Sequence, residues 1–299
     1  MSVVVWSQWN DLTLPAGVEH CTSDGIYPSA HDMDRITFFV PRYMGGADAI
    51  RDLSKLTALK VIQSPNAGVD DLIPIRPSGV TLCNAAGVHD DSTAELAVGL
   101  ALTSRRGFAR FAQSQSQEKW DHVRMATLTD SKVAIVGYGQ IGKRIAELLA
   151  PFKVSIDAYS RSGRDGAMVM ENFDKNISTY DVIILMMPLN DSSRGFMNAA
   201  RLAAMKDGAT LINVARGPVV DTDALLRELN SKRIWAAVDV THPEPLPAGH
   251  PLWKAPQLII TPHVGGNSEA FVPRGRKLIE EQIARFARGE RLINIIAEN

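Results

Sequence analysis

Short apolar runs alternate with helix-like stretches along the whole chain. The runs are Val3–Trp6, Ile36–Val40, Leu59–Gln63, Val80–Asn84, Val133–Val136, Val154–Tyr159, Val182–Met186, Thr210–Val214, Trp235–Val240 and Leu258–Ile260. Several are apolar at every position, the pattern of strands covered by helices on both faces. Strand–helix alternation of this kind predicts an α/β fold of parallel sheets joined by right-handed crossovers. No repeat of solenoid length and no low-complexity segment breaks the pattern.

The patterning changes near residue 91. Ser92-Thr93-Ala94-Glu95 reads as a capping box, with Ser92 accepting from first-turn amides and Glu95 reaching back. Leu96, Ala97, Leu100 and Ala101 then supply the apolar face of a long helix entering a second domain. A last helix, roughly Pro273 to Arg288, follows Gly265-Gly266-Asn267, which reads as a hinge. If that helix packs back on the first domain, the expected division is 1–91 plus 268–299 against 92–267. A cleft between two such domains is the default place for a ligand.

Composition narrows the function. The 299 residues fit two domains at roughly 150 each. Apolar residues at 45% and charged residues at 22% exclude a disordered or fibrous chain. The net charge of −1 argues against nucleic acid or an anionic membrane as main partner. Cys21 and Cys83 lie far apart with no CxxC, so neither a disulfide scaffold nor a metal site is expected, and a reducing compartment fits. The N-terminus has no signal-peptide pattern, and no apolar run approaches the roughly 18 residues of a membrane span. The expected location is the cytoplasm.

The most specific local motif lies between Lys132 and Ser162: strand, glycine-rich turn, helix, strand. Gly137 permits the tight turn, Gly139 lets a pyrophosphate approach the backbone, and Gly142 allows the helix to pack close to the strand. The helix opens at Gln140-Ile141, so its N-terminus faces the anion. The apolar strands on both sides supply the context that a lone GxGxxG lacks. NAD-binding versions place an acid at the end of the second strand to accept from the ribose 2′-hydroxyl. Here that position is Ser160, followed by Arg161 and Ser162. Nothing there repels a 2′-phosphate, and Arg161 can pair with one, so the reading is NADP(H) preferred with NAD(H) accepted. Asp157, 15 residues after Gly142, is the competing candidate for the acid.

Three later strands end in three chemical groups. Arg216 follows Thr210–Val214, Glu244 lies a few residues beyond Trp235–Val240, and His263 follows Leu258–Ile260. Neighbouring strand ends in a parallel sheet share one crevice, so these residues can converge across sequence gaps of 28 and 19. Together they suit hydride transfer at a carbon bearing oxygen. Arg216 binds a carboxylate and polarises a carbonyl. His263 donates a proton during reduction and accepts one during oxidation. Glu244 orients the imidazole and favours its protonated form. His242, nearer to Glu244, is a rival imidazole but ends no strand.

These residues resemble the D-isomer-specific 2-hydroxyacid dehydrogenases, the family that includes glyoxylate/hydroxypyruvate reductases and phosphoglycerate dehydrogenases. The likeness covers essentially the whole chain. It rests on Asn66-Ala-Gly-Val-Asp70, Asn84-Ala-Ala-Gly87 leading to Thr93-Ala-Glu95, Val136–Gly142, Leu211–Gly217 with Val220-Asp221, Asp239-Val240 to Glu244-Pro245, His250–Trp253 and Thr261–Gly266. The resemblance implies a Rossmann dinucleotide-binding domain and a smaller flavodoxin-like substrate domain, both doubly wound parallel sheets. It implies the catalytic set Arg216, Glu244 and His263, with Arg216 and His263 also holding substrate. It further implies that amides around Ala67 and Gly68 hold the substrate carboxylate. Asp239 would then meet the nicotinamide carboxamide, with Pro188 and Ala215 lining the cofactor pocket. A homodimer built through the helix starting near Ser92 is also implied.

Departures qualify the resemblance. The segment Asn84–Asp91 differs from the commoner Asn-Ala-Pro-Gly form, and His89 within it reads as a solvated loop histidine or a ligand contact. Arg42 and Tyr43 read as substrate-selecting or as surface residues, and Trp120 as an active-site wall or as exposed packing. Met186 and Met187 read as core filler. Formate dehydrogenases carry Gln where Glu244 stands, which disfavours formate. No regulatory domain is read after residue 299, which disfavours serine-type feedback. The leading expectation is an NADPH-preferring reductase of glyoxylate or hydroxypyruvate. The alternatives are a phosphite-type oxyanion dehydrogenase and a dinucleotide-sensing, corepressor-like binding protein.

Overall fold

The computed structural model of the chain describes residues 2–21 and 27–298. It divides into two compact units, Met1–His89 with Glu269–Asn299, and Asp90–Ser268. The chain opens with β1 (Val3–Trp6), β2 (Val18–Cys21), β3 (Phe38–Phe39), β4 (Val61–Gln63) and β5 (Thr81–Cys83). The second unit begins with helices α1 (Asp90–Arg106) and α2 (Phe108–Ser116), then β6 (Lys132–Val136), α3 (Gln140–Leu149), β7 (Ser155–Ser160) and β8 (Met168–Val169). It continues with α4 (Phe173–Asn176), β9 (Val182–Leu185), α5 (Ala199–Ala204), β10 (Thr210–Asn213), α6 (Thr222–Asn230), β11 (Trp235–Val238) and β12 (Leu258–Ile260). The first unit is completed by α7 (Phe271–Ala287) and β13 (Ile295–Ala297).

Each of the ten apolar runs coincides with a strand. The seven-stranded sheet has the order β8-β7-β6-β9-β10-β11-β12, all parallel. The chain winds outward from β6 to β8, then returns to start again at β9. That is the doubly wound dinucleotide-fold order, with its switch point between β6 and β9. Val133, Ile135, Val182, Ile184 and Ile212 point into one core, while Ala134, Val136, Ile183, Leu185 and Leu211 point into another. Both faces are therefore covered, and the strands read as continuous rather than alternating.

The other sheet has the order β2-β1-β3-β4-β5-β13, flavodoxin-like over its first five strands. Its last strand is antiparallel, with Ile295 opposite Cys83. Val4, Trp6, Phe39, Ile62 and Leu82 fill one face, while Val5, Phe38 and Val61 pack with Ile279 and Ile283 of α7 on the other. Cys21 and Cys83 are free and buried in this unit.

One local expectation changes. Helix α1 starts at Asp90, so Ser92 lies inside the first turn instead of capping it. Asp90 and Asp91 occupy that turn, where negative charge offsets the exposed amides. The Gly265-Gly266-Asn267 segment lies just before the division between the units at Ser268 and Glu269, and Gly265 itself is buried, its amide donating to Asp239 Oδ2 at 2.8 Å.

Candidate active site

The three glycines after β6 are required for different reasons. A Cβ on Gly137, at φ +107°, would stand 2.2 Å from the Met186 carbonyl oxygen, where the chain leaves β9 at the switch point. One on Gly142 would stand 2.2 Å from the Gly137 carbonyl oxygen. One on Gly139 would meet no atom of the protein within 4 Å. Packing therefore explains the outer two glycines and leaves the middle one to something else. Open space above the start of α3, beside the first-turn amides, fits a phosphate-bearing ligand. A Rossmann dinucleotide fits these residues on that ground.

After β7, the Ser160 hydroxyl accepts from the Gly163 amide at 3.0 Å and closes the turn. Arg161 and Ser162 are exposed there. Asp157 lies inside the strand, pairing with Lys132 at 3.2 Å and accepting from the Tyr180 hydroxyl at 2.8 Å. Its carboxylate is thus committed to packing and does not stand at the strand end. Pro188 is exposed and its carbonyl accepts from Ser193 Oγ at 2.7 Å, while Ala215 is buried.

Three neighbouring strands carry the chemical groups. Asn213 of β10 is in register with Val238 of β11, and Val238 with Ile260 of β12. Hydrogen-bonded strands lie about 4.8 Å apart, so the loops beyond these residues are neighbours. After β10, Asn213 shapes the turn: its Oδ1 accepts from the Ala215 amide at 3.1 Å and its Nδ2 donates to the Arg216 carbonyl at 3.1 Å. Arg216 Nη1 donates to the Ala215 carbonyl at 2.7 Å. A Cβ on Gly217 would fall 1.8 Å from the Thr241 carbonyl oxygen. Only glycine lets the Arg216 loop lie directly against the loop that carries Glu244.

His263 Nδ1 meets Glu244 Oε1 at 2.5 Å, and the Thr241 amide approaches Glu244 Oε2 at 3.4 Å. Burial pushes the Glu244 carboxyl up. The hydrogen bond and charge of His263, the Thr241 amide and the charge of Arg216 outweigh it, and the net shift is downward. His263 sits at φ +54°, a conformation costly for a residue with a Cβ. What holds it there is Asp239, only 3% exposed. The Asp239 carbonyl accepts from the His263 amide at 2.7 Å. Its carboxylate accepts from Thr261 Oγ1 at 2.6 Å, the Val264 amide at 2.9 Å and the Gly265 amide at 2.8 Å. A carboxylate has about four lone-pair sites, so at least one remains for a further donor. His242 is exposed and its carbonyl accepts from Thr222 Oγ1.

In the first unit, the loop after β4 has its carbonyls captured in sequence. Ser64 accepts from Gln63 Nε2 at 2.9 Å, and Pro65 bonds to His89 Nε2 at 2.9 Å. Asn66 accepts from the Ala85 amide at 3.0 Å, and Ala67 from Asn84 Nδ2 at 2.7 Å. In a trans peptide the N–H opposes the C=O. Drawing the Asn66 and Ala67 carbonyls inward therefore turns the Ala67 and Gly68 amides outward, side by side. Two adjacent free-facing amides form a concavity suited to an oxyanion. His89 is buried, not solvated, at 4% exposure.

The roles of Asn213, Gly217 and Thr261 escaped the reading by residue type, because each acts on a loop that is distant in sequence. The spacing of their motifs was visible; their contacts were not.

Comparison with known proteins bears on the family and the fold. The NAD binding domain of D-isomer specific 2-hydroxyacid dehydrogenases matches residues 98–265. A hydroxypyruvate reductase of Thermotoga maritima is 31% identical over 251 residues, covering 78% of this chain and 82% of that one. The human glyoxylate reductase/hydroxypyruvate reductase is 35% identical over 221 residues, covering 69% of this chain and 67% of that one. A D-isomer specific 2-hydroxyacid dehydrogenase of Xanthobacter autotrophicus, solved with NADPH and MES, superposes with a TM-score of 0.79 at 26% identity, covering 99% and 98% of the two chains. The chain belongs to the D-isomer-specific 2-hydroxyacid dehydrogenase family of oxidoreductases.

Proposed function

We propose that this protein reduces small 2-keto acids, glyoxylate and hydroxypyruvate first among them, to D-2-hydroxy acids, with NADPH preferred and NADH accepted. The observation that carries this reading is the 2.5 Å contact between His263 Nδ1 and Glu244 Oε1 on the loops after adjacent strands. With Nδ1 held by a carboxylate, Nε2 is the nitrogen left to serve the substrate oxygen. In reduction it gives that oxygen a proton; in oxidation it takes one from the hydroxyl. Glu244, kept ionised, holds the Nδ1 side of the ring and so fixes the direction of Nε2. Arg216 is suited to pair with a carboxylate and to polarise a carbonyl; within the first unit, the Ala67 and Gly68 amides are suited to receive carboxylate oxygens. The nicotinamide, when bound, supplies the hydride. Gln140 and Ile141 open the helix whose amides face the pyrophosphate, with Pro188 and Ala215 beside the ring and the remaining acceptor capacity of Asp239 turned to its carboxamide.

The cofactor preference rests on Ser160, Arg161 and Ser162. The ribose end meets hydroxyls and an exposed guanidinium instead of an acid, and Asp157 is engaged elsewhere. The substrate class rests on the reductases of Thermotoga maritima and human. We also assign a cytoplasmic homodimer built on the helical segment that opens with α1. Trp120 is 94% exposed beside a cavity of about 520 Å³, and Phe108 is 53% exposed, the kind of apolar surface that association covers. The direct test is turnover of a 2-keto acid panel with NADPH and with NADH. Glyoxylate or hydroxypyruvate reduction, faster with NADPH, is expected. Tight cofactor binding with no turnover of any panel member would overturn the assignment.

A further inference from the structure

The Pro65 carbonyl sits at the head of the loop that presents the Ala67 and Gly68 amides. Its partner is a side chain from the segment that departs from the commoner family pattern. A carbonyl oxygen has only lone pairs to offer, so His89 Nε2 carries the proton and donates it. The imidazole has little freedom to do otherwise. It lies nearly parallel to Phe271, with centroids 5.2 Å apart, and to Tyr43, at 5.6 Å; Tyr43 and Phe271 stack at 3.7 Å. The two partner rings come from the start of α7 and the segment after β3, so two other stretches of chain pack against the donor. The same peptide's N–H, on Asn66, donates to Ser64 Oγ at 3.1 Å, fixing the plane from both sides.

We propose that His89 is a positioning residue for oxyanion binding. By holding the Pro65–Asn66 peptide in place, it aims the Ala67 and Gly68 amides and so sets affinity for the substrate carboxylate. This rests on the keto-acid reading above for its substrate, but not for its geometry. Without the donor, the Pro65 carbonyl is left buried and unsatisfied. The peptide then turns to find a partner and carries the two following amides off their aim.

Two variants separate this role from general support. His89→Phe keeps a ring in the stack and removes the donor; His89→Gln restores an N–H donor near the Nε2 position. The probe is oxalate, titrated by calorimetry into NADPH-loaded protein, beside glyoxylate kinetics. His89→Phe is expected to weaken oxalate about tenfold or more and to raise the glyoxylate KM by a similar factor, with kcat within about threefold and NADPH affinity unchanged. His89→Gln is expected to recover most of the oxalate affinity. Unchanged oxalate affinity in His89→Phe, a parallel loss of NADPH affinity, or no recovery in His89→Gln would overturn the proposal. If the wild type turns over no keto acid yet the oxalate difference persists, the substrate assignment fails and the positioning role stands.

Discussion

At the scale of single residues, the site joins a strained histidine to a carboxylate that folding keeps ionised. Because folding lowers the Glu244 pKa, the pair's contribution is complete above the ordinary carboxylate value of about 4.3 and fades as the pH falls through the lower folded-state value. Glu244→Gln should therefore lower Tm at neutral pH, and its gap from the wild type should close as the pH is taken from about 5 toward about 3. Thermal melts across that range check this; a gap of constant size would contradict it. The placing of Arg216, Glu244 and His263 on loops after neighbouring strands was legible because each follows a strand that its own apolar run announces. The service that Asp239 gives to the His263 loop was not legible. Its partners stand 22 to 26 residues away and are found only once β11 and β12 lie side by side.

At the scale of elements, the three glycines after β6 divide into two that packing requires, Gly137 and Gly142, and one, Gly139, that faces open space. Gly217→Ala puts a methyl group 1.8 Å from the Thr241 carbonyl oxygen, so the Arg216 and Glu244 loops must part. A loss of about 3 kcal/mol or more in stability is expected, with activity falling too. Gly139→Ala meets nothing in the protein. It should leave stability within about 1 kcal/mol of the wild type while weakening NADPH binding tenfold or more. Denaturation and cofactor titration of both variants check the contrast, and equal destabilisation by the two would contradict it. The buried strands were readable because continuous apolar runs survive without neighbours. Strands β2, β8 and β13 were not. They are two to four residues long and lie at sheet edges, where half-exposed positions such as Glu19, Val169 and Ile296 dilute the apolar signal.

At the scale of the whole molecule, the two doubly wound sheets follow from the alternation of elements, whereas the antiparallel β13 depends on a return of the chain that no local pattern announces. A homodimer was expected only through the family resemblance, since exposure of Trp120 is a property of the folded surface. Sedimentation should find a dimer at micromolar concentration, and Trp120→Ala should weaken it by about tenfold or more. A monomeric wild type would contradict the assignment. The account as a whole turns on proton transfer by His263, and single-variant kinetics reach it directly. In NADPH-dependent reduction of glyoxylate, His263→Ala should lower kcat by roughly 10²–10⁴ while NADPH affinity is retained. A variant that keeps near wild-type kcat would contradict it.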